Sequence, residues 1–428
     1  MQLTVKNFSC IKEAKLRLAK LTVLTGPQAS GKSVLSKLIY FSINKFIGYT
    51  FLPSETITLA EFKADIADEF KKMFPPVAWG DGNFSVVFEA GKLEIKISRR
   101  KKKTAPGRGR ANDSVVIGFS KEFEDFFAER NDRIDRALAA VQKKTGHAAP
   151  QRELEVMWRV ENILEGRLKD LLGEDYLQFQ LFIPAGRSFF TSLGRAVVAF
   201  EQGGMLDPVT VQFGRIFTSI RDRPAQYFPS KEPPTRRDFR DLTMQKLFGG
   251  EVRFSRSREF EFVESEDGRK VPFSSLSSGQ QELLPLWAAL TRVANRQDDL
   301  VYLEEPEAHL FPSAQSTLIE YLASLVMASG KRMIITTHSP YVLAKLNNLM
   351  KAGDLSKRLG RTSVVKLNNI VDKSVQLPKG SVLAYAIQEG KLISIIDDGL
   401  VDGQYLDDVS GEISREFMSL LELESKSQ

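Results

Sequence analysis

At 428 residues, with 42% apolar and 27% charged side chains, the chain has ordinary globular composition, which excludes a disordered or fibrous protein. Its length suits two or three domains at roughly 150 residues each. Sixty Lys and Arg stand against 54 Asp and Glu, and a net charge of +6 on so long a chain permits a nucleic-acid partner without requiring one. The single cysteine, Cys10, allows no intrachain disulfide and fits a reducing compartment. The N-terminus lacks the pattern of a signal peptide, and no stretch approaches the ~18 apolar residues of a membrane span. A cytoplasmic protein with no membrane partner is the expectation.

In chain order, residues 2–24 read as two short strands, one with Leu3, Val5 and Phe8, the other with Leu21, Val23 and Leu24. Gly26 to Ser33 is a small-residue loop, and Val34 to Phe46 carries Leu35, Leu38, Ile39 and Ile43 at helical spacing. An amphipathic helix over 59–74 is closed by Pro75 and Pro76. Phe84, Val86 and Phe88, then Leu93, Ile95 and Ile97, alternate as a hairpin, and Ser114 to Phe119 adds a third strand. Residues 121–143 and 151–172 repeat apolar positions at helical period and predict a helical arm or hairpin. A strand follows at Tyr176 to Pro184, a Pro- and Arg-rich loop at 222–240, and a strand meander at 250–273. The tail predicts strands at 363–367 and 382–387 and a last helix over 409–424.

Four motifs carry chemistry. Gly26-Pro27-Gln28-Ala29-Ser30-Gly31-Lys32-Ser33 matches the phosphate-binding loop G-x-x-x-x-G-K-[ST] in full, between a strand and a helix. Its backbone N–H groups and the helix dipole suit an anion. Lys32 would reach the β- and γ-phosphates of ATP, and Ser33 would coordinate Mg²⁺. Leu300-Val301-Tyr302-Leu303-Glu304-Glu305 is a buried strand ending in two acids. Alone, that pair reads as well as a solvated strand end. After the glycine loop, Glu304 is the expected Mg²⁺ ligand and Glu305 the general base. Ser277-Ser278-Gly279-Gln280 is a turn that caps a helix running from Gln281 to Val293. Its position before the acidic strand is the second reason to single it out. Thr336-Thr337-His338-Ser339-Pro340 delivers a histidine at a strand end, where an imidazole can meet a γ-phosphate or its attacking water.

In this order the four motifs resemble the ATP-binding-cassette ATPases, and in particular the stand-alone heads of Rad50, the structural-maintenance-of-chromosomes (SMC) proteins and the overcoming-lysogenisation-defect (OLD) ATPases. The run Glu304-Glu305-Pro306-Glu307-Ala308-His309, the Ser-Ser-Gly-Gln signature and Thr-Thr-His-Ser-Pro point to the OLD-like side. The resemblance implies an α/β phosphate-loop ATPase head with a mixed-sheet core, an antiparallel β subdomain and an inserted helical subdomain. It divides the chain into a nucleotide-binding lobe over 1–120, a mainly helical insertion over 121–245 and a second ATPase lobe over 246–428. It implies ATP and Mg²⁺ as cofactors and a head-to-tail homodimer, or a higher homo-oligomer. Ser277, Ser278, Gly279 and Gln280 of one copy would then bind the ATP held by the other. Glu305, His338 and Lys32 would be catalytic, and Glu307 and His309 would lie near the dimer seam.

The chain departs from that pattern in places. The glutamine loop is replaced by Pro184-Ala185-Gly186-Arg187-Ser188, where Arg187 reads either as a phosphate-contacting finger or as a surface arginine in a turn. Asp397, Asp398, Asp402, Asp407 and Asp408 read as a solvated acidic loop, so no nuclease site is expected. The basic run from Arg99 to Arg110 reads as a polyanion grip or a solvated strand connection, without aromatic residues to stack bases. The expected function is an ATP-driven switch acting on a separate effector protein, similar to the ATPase subunits of Septu- and PARIS-type anti-phage systems. The alternative is a DNA-binding repair or chromosome-organising ATPase of the Rad50/SMC type.

Overall fold

The computed structural model describes residues 1–47, 56–100, 114–143, 149–193, 206–222, 239–254, 260–264, 268–272, 275–293, 297–329 and 331–402. Its first third holds β1 (Gln2–Phe8), β2 (Ile11–Arg17), β3 (Leu21–Thr25), α1 (Lys32–Ile47), α2 (Leu59–Met73), β4 (Ser85–Ala90), β5 (Leu93–Arg100) and β6 (Ser114–Phe119). The middle holds α3 (Lys121–Lys143), α4 (Ala149–Leu172), β7 (Phe179–Ile183), α5 (Ser188–Leu193), α6 (Pro208–Asp222) and α7 (Phe239–Phe248). Next come β8 (Gly250–Phe254), β9 (Phe260–Glu264), β10 (Lys270–Pro272), α8 (Ser278–Val293), β11 (Asp299–Glu304), α9 (Pro312–Ser329) and β12 (Arg332–Thr337). The last part holds α10 (Pro340–Arg358), α11 (Arg361–Ile370), β13 (Val382–Gln388), β14 (Lys391–Ser394), β15 (Ile396–Asp397) and β16 (Leu400–Val401).

One 11-stranded sheet runs β6-β5-β4-β1-β2-β14-β13-β3-β12-β11-β7. The block β13-β3-β12-β11-β7 is parallel. The β6-β5-β4-β1-β2 block is antiparallel. The hairpin β13–β14 joins the two, with β14 meeting β2 in parallel at Lys391 and Glu13. The mixed core and antiparallel subdomain are therefore both present, and the meander at 250–273 is a separate three-stranded sheet, β10-β9-β8.

The parallel strands are rich in apolar residues on both sides because both faces are covered. Successive side chains alternate sides. Val301 and Leu303 join Leu21, Val23, Met333 and Ile335 in a core under α6 to α10. Leu300 and Tyr302 join Leu24, Ile334 and Phe182 in a second core under α1 to α4. The helices α3 and α4 pair, and Phe123, Phe127, Leu164 and Leu168 anchor them in that second core. α2 starts at a reciprocal capping box between Thr58 and Glu61. α10 starts at Ser339, whose hydroxyl accepts from the Val342 N–H, with Pro340 at its first position.

Two expectations change. Residues 2–24 hold three strands, because β2 was hidden by its outward Lys12, Glu13, Lys15 and Arg17, while Ile11, Ala14 and Leu16 are buried. Residues 363–367 belong to helix α11, not a strand. The β-branched Val364 and Val365 suggest extension, but burial falls on Leu367 and Val371, one helical turn apart. The predicted helix over 409–424, most of the loop over 222–240 and most of the basic run lie outside the described residues. Among the described residues, no helix is long and apolar enough to cross a membrane.

α10 lies close under the chain entering β13. A Cβ on Gly353 would sit 2.0 Å from the Leu377 carbonyl oxygen. Gly353→Ala is expected to lower stability by about 1–3 kcal/mol through overpacking, measured as a lower urea midpoint with unchanged slope. An unchanged midpoint would mean that α10 shifts freely.

Candidate functional site

β13, β3, β12, β11 and β7 end together. Thr25 lies opposite Thr337 and Ala386, Glu304 opposite Thr336, and Leu303 opposite Ile183. The carboxyl edge of parallel strands is where open α/β sheets bind ligands. From that edge leave the glycine loop after β3, Glu305 after β11, His338 after β12 and Pro184 to Arg187 after β7. Segments far apart in sequence thus meet at one place.

The glycine loop is fixed by its backbone. Gly26 and Gly31 have φ of 141° and 107°. A Cβ on Gly26 would meet the Ile387 carbonyl oxygen at 2.8 Å, and one on Gly31 would meet Ile11 Cδ1 at 2.5 Å. No side chain fits either position. Ala29 also has positive φ, at 58°. Pro27 and Gln28 are exposed beside it. Lys32 Nζ donates to the Gly26 carbonyl at 2.9 Å and the Pro27 carbonyl at 2.8 Å. Burial pulls the Lys32 ammonium below the ordinary lysine value, and the nearby Glu305 and Glu307 carboxylates oppose that shift. Ser30 Oγ is buried without a hydrogen-bond partner, and Ser33 is exposed on the first turn of α1.

The acidic strand ends in a strained turn. Glu305 has φ of 43°, a conformation costing a non-glycine residue about 1–3 kcal/mol. Its N–H donates to the Thr336 carbonyl at 3.0 Å. Its Oε1 stands 3.3 Å from His338 Nε2, so the expected base and histidine touch. Glu304 is buried, and its Oε1 has no hydrogen-bond partner. Glu307 is also buried. Its Oε1 accepts from Thr337 Oγ1 at 2.5 Å and from the His338 N–H at 3.1 Å, while its Oε2 has no partner. Within this chain the Glu307 carboxylate is turned inward to hold the end of β12. His309 is exposed, with φ of 60°.

The signature segment closes on itself and on the end of α7. Ser277 Oγ accepts from the Gln280 N–H at 3.3 Å, and Gln280 Oε1 accepts from the Ser277 N–H at 3.0 Å, a reciprocal cap on α8. Gln280 Nε2 donates to the Phe248 carbonyl at 2.8 Å. Ser277 and Ser278 are exposed, and Gly279 is buried against His309, whose carbonyl oxygen would lie 2.9 Å from a Cβ there. Among the described residues, no hydrogen bond joins residues 277–280 to 26–33.

Arg187 overturns both readings of it: it is neither a surface arginine nor free to reach a phosphate. It has no solvent exposure. It pairs with Glu282 and donates to four carbonyl oxygens, those of Pro184, Glu282, Glu304 and Glu305. Burial lowers its pKa, and Glu282, Glu307, Glu305 and Glu304 counter that shift. Glu282 was missed from sequence. Its signal is a charge among Gly279, Leu283 and Leu286 on the buried face of α8.

ATP and Mg²⁺ fit this chemistry. The glycine loop and Lys32 suit phosphates, and the buried oxygens of Ser30, Glu304 and Glu307 lack partners that a nucleotide, its metal or ordered water would supply. Among the described residues no group of three or more His, Cys, Asp or Glu could hold a metal alone. Mg²⁺ takes one or two protein oxygens and completes its shell with phosphate and water. Ser33 and Glu304 are the residues that would hold it.

Comparison with known proteins agrees on the class of domain. The family described as AAA ATPase domain matches residues 220–343, which include the signature, the acidic strand and the histidine. No curated protein matches the chain. The chain is similar to the SMC head domain from Thermotoga maritima, at 15% identity over 93% of this chain and 98% of that one, with a TM-score of 0.35. An SMC head bound to the C-winged helix domain of ScpA is 14% identical over 95% of this chain and 98% of that one, at a TM-score of 0.40. An SMC head with an extended coiled coil, bound to the C-terminal domain of ScpA from Pyrococcus furiosus, is 13% identical over 96% and 98%, at 0.33. The superpositions are loose, and the fold assignment rests on the sheet order and the glycine-loop geometry. The chain is thus an α/β protein with a mixed sheet and a phosphate-loop type of glycine turn between β3 and α1.

The depressed Lys32 pKa sets a pH dependence. In the free protein Lys32 loses its proton below the ordinary 10.5. Phosphates beside it would raise that value again, so binding ATP takes up a proton as pH rises through the free-protein value. Affinity is therefore expected to fall at alkaline pH. Calorimetry in two buffers of different ionisation enthalpy checks this; Lys32→Met should abolish both the uptake and most of the affinity.

Proposed function

We propose that the protein binds and hydrolyses ATP with Mg²⁺, and that two copies close head to tail around the nucleotide as a switch for a separate effector protein. The observation that carries the reading is the convergence of Lys32, Glu304, Glu305 and His338 on one sheet edge, with Glu305 and His338 3.3 Å apart. The glycine loop holds the phosphates, and Lys32 leaves its two loop carbonyls to meet the β- and γ-phosphate oxygens. Ser33 and Glu304 would hold Mg²⁺, which would neutralise the phosphate charge. Glu305 takes the proton of a water that attacks the γ-phosphorus, and the bond to the bridging oxygen breaks to release ADP. His338 holds the Glu305 carboxylate on one side and faces the transferred phosphoryl group.

The head-to-tail arrangement is supported by Ser277 and Ser278, which are exposed at the first turn of α8 and unused by this chain's own glycine loop. An exposed helix start suits a phosphate brought by a second copy. The effector and a role in anti-phage defence, in a cytoplasmic setting, rest on the sequence resemblance alone.

Light scattering with and without MgATP tests the switch. Association on ATP is expected for wild type, and a longer-lived dimer for Glu305→Gln, whose hydrolysis should drop by about 100-fold or more. A mass that ignores nucleotide in both proteins would remove the trans role of Ser277 to Gln280.

A further inference from the structure

Arg187 sits where it touches both the end of the acidic strand and the helix that starts at the signature. Its Nη1 donates to the Glu304 carbonyl at 2.7 Å and its Nη2 to the Glu305 carbonyl at 3.0 Å. In a regular strand, successive carbonyls point to opposite sides. Here two in a row reach one guanidinium, and Glu305 is the residue turned into positive φ, at 43°. The planar fork of arginine can meet both oxygens at once, and a lysine ammonium on a single nitrogen cannot copy that spread.

The other side of the guanidinium belongs to α8. Arg187 Nε donates to the Glu282 carbonyl at 3.1 Å and lies 3.3 Å from Glu282 Oε2. The Glu282 carboxylate is itself committed: Oε2 accepts from the Arg187 N–H at 2.9 Å and Oε1 from the Ser188 N–H at 3.1 Å. Both partners are almost wholly buried. Glu282 follows Ser278 by one helical turn, so it moves with the signature segment. The same turn of α8 meets the acidic segment again at Gly279, packed on the His309 backbone.

We propose that Arg187 and Glu282 form a positioning clamp through which the first turn of α8 sets the backbone of Glu305, so that a ligand engaged at Ser277 to Gln280 aligns the catalytic carboxylate. This deepens the ATPase reading of the site and rests on it. Both side chains of the clamp are buried and committed to protein groups, so it governs the rate of the chemical step and leaves nucleotide affinity largely alone. A merely structural ion pair would instead change stability without separating rate from affinity.

The test compares Arg187→Lys, Glu282→Gln and the apolar double variant Arg187→Met/Glu282→Leu. The double variant fills the space without leaving a buried charge, which keeps it foldable. Thermal unfolding, binding of a fluorescent ATP analogue and steady-state hydrolysis are measured on each, with Glu305→Gln as the hydrolysis-dead control. The clamp predicts kcat reduced by about 10- to 100-fold in all three, as for a displaced catalytic group. Nucleotide affinity should stay within about threefold of wild type. Lysine should not rescue, and the double variant should keep its melting temperature while losing turnover. A folded double variant with wild-type kcat overturns the clamp, and so does a parallel loss of affinity and rate, which would make Arg187 a nucleotide ligand. Wild type that fails to hydrolyse ATP would defeat the reading of the site, and the clamp with it.

Discussion

Parallel pairing brings the carboxyl ends of β13, β3, β12, β11 and β7 to a single edge, and the candidate site hangs from that edge. Residues 26–33, 184–187, 304–307 and 338 are far apart in sequence and meet because Thr25, Thr337, Glu304 and Ile183 end their strands in near alignment. The alignment holds because both faces of these strands are buried. A one-residue slip would turn Val301 and Leu303 out of one core and Leu300 and Tyr302 out of the other. Hydrophobic packing therefore fixes the relative positions of the polar ends.

Those ends are electrostatically unbalanced. Glu305 and Glu307 stand near Lys32, while Arg187 is spent on Glu282 and on backbone carbonyls. Buried carboxylate oxygens without partners are costly, and a site keeps them when a cation or donor arrives with its ligand. MgATP would bring the cation for the carboxylates and the anion for Lys32 together. The strained φ of Glu305 fits the same picture, since such strain persists only where the surroundings over-determine it. Removing either Arg187 or Glu282 alone would strand a buried charge, at about 3–5 kcal/mol.

What could be read from sequence was local. The glycine loop, its strand and helix, the acidic strand and the histidine strand all announce themselves within a few residues. What could not be read depends on distance along the chain. Glu282 meets Arg187 across 95 residues, and Arg187 meets the Glu304 carbonyl across 117. A lone arginine in a Pro-Ala-Gly-Arg turn carries no sign of burial. The charge of Glu282 on an apolar helix face was the one visible hint of a buried partner. The bond that turns the Glu307 carboxylate inward comes from Thr337, 30 residues away, and had no sign in the local sequence. β2 was hidden by its charged outer face and α11 by its paired valines.

The central claim is that each nucleotide site is built from two copies, with the glycine loop of one and the signature of the other. Mixing two inactive variants tests it most directly: Lys32→Ala, which disables the glycine loop, and Ser277→Arg, which blocks the signature. A head-to-tail dimer containing one of each has one intact composite site, so an equal mixture should recover about a quarter of wild-type ATP hydrolysis. No recovery in a mixture shown to exchange subunits would contradict the composite site, as would substantial activity of Ser277→Arg alone.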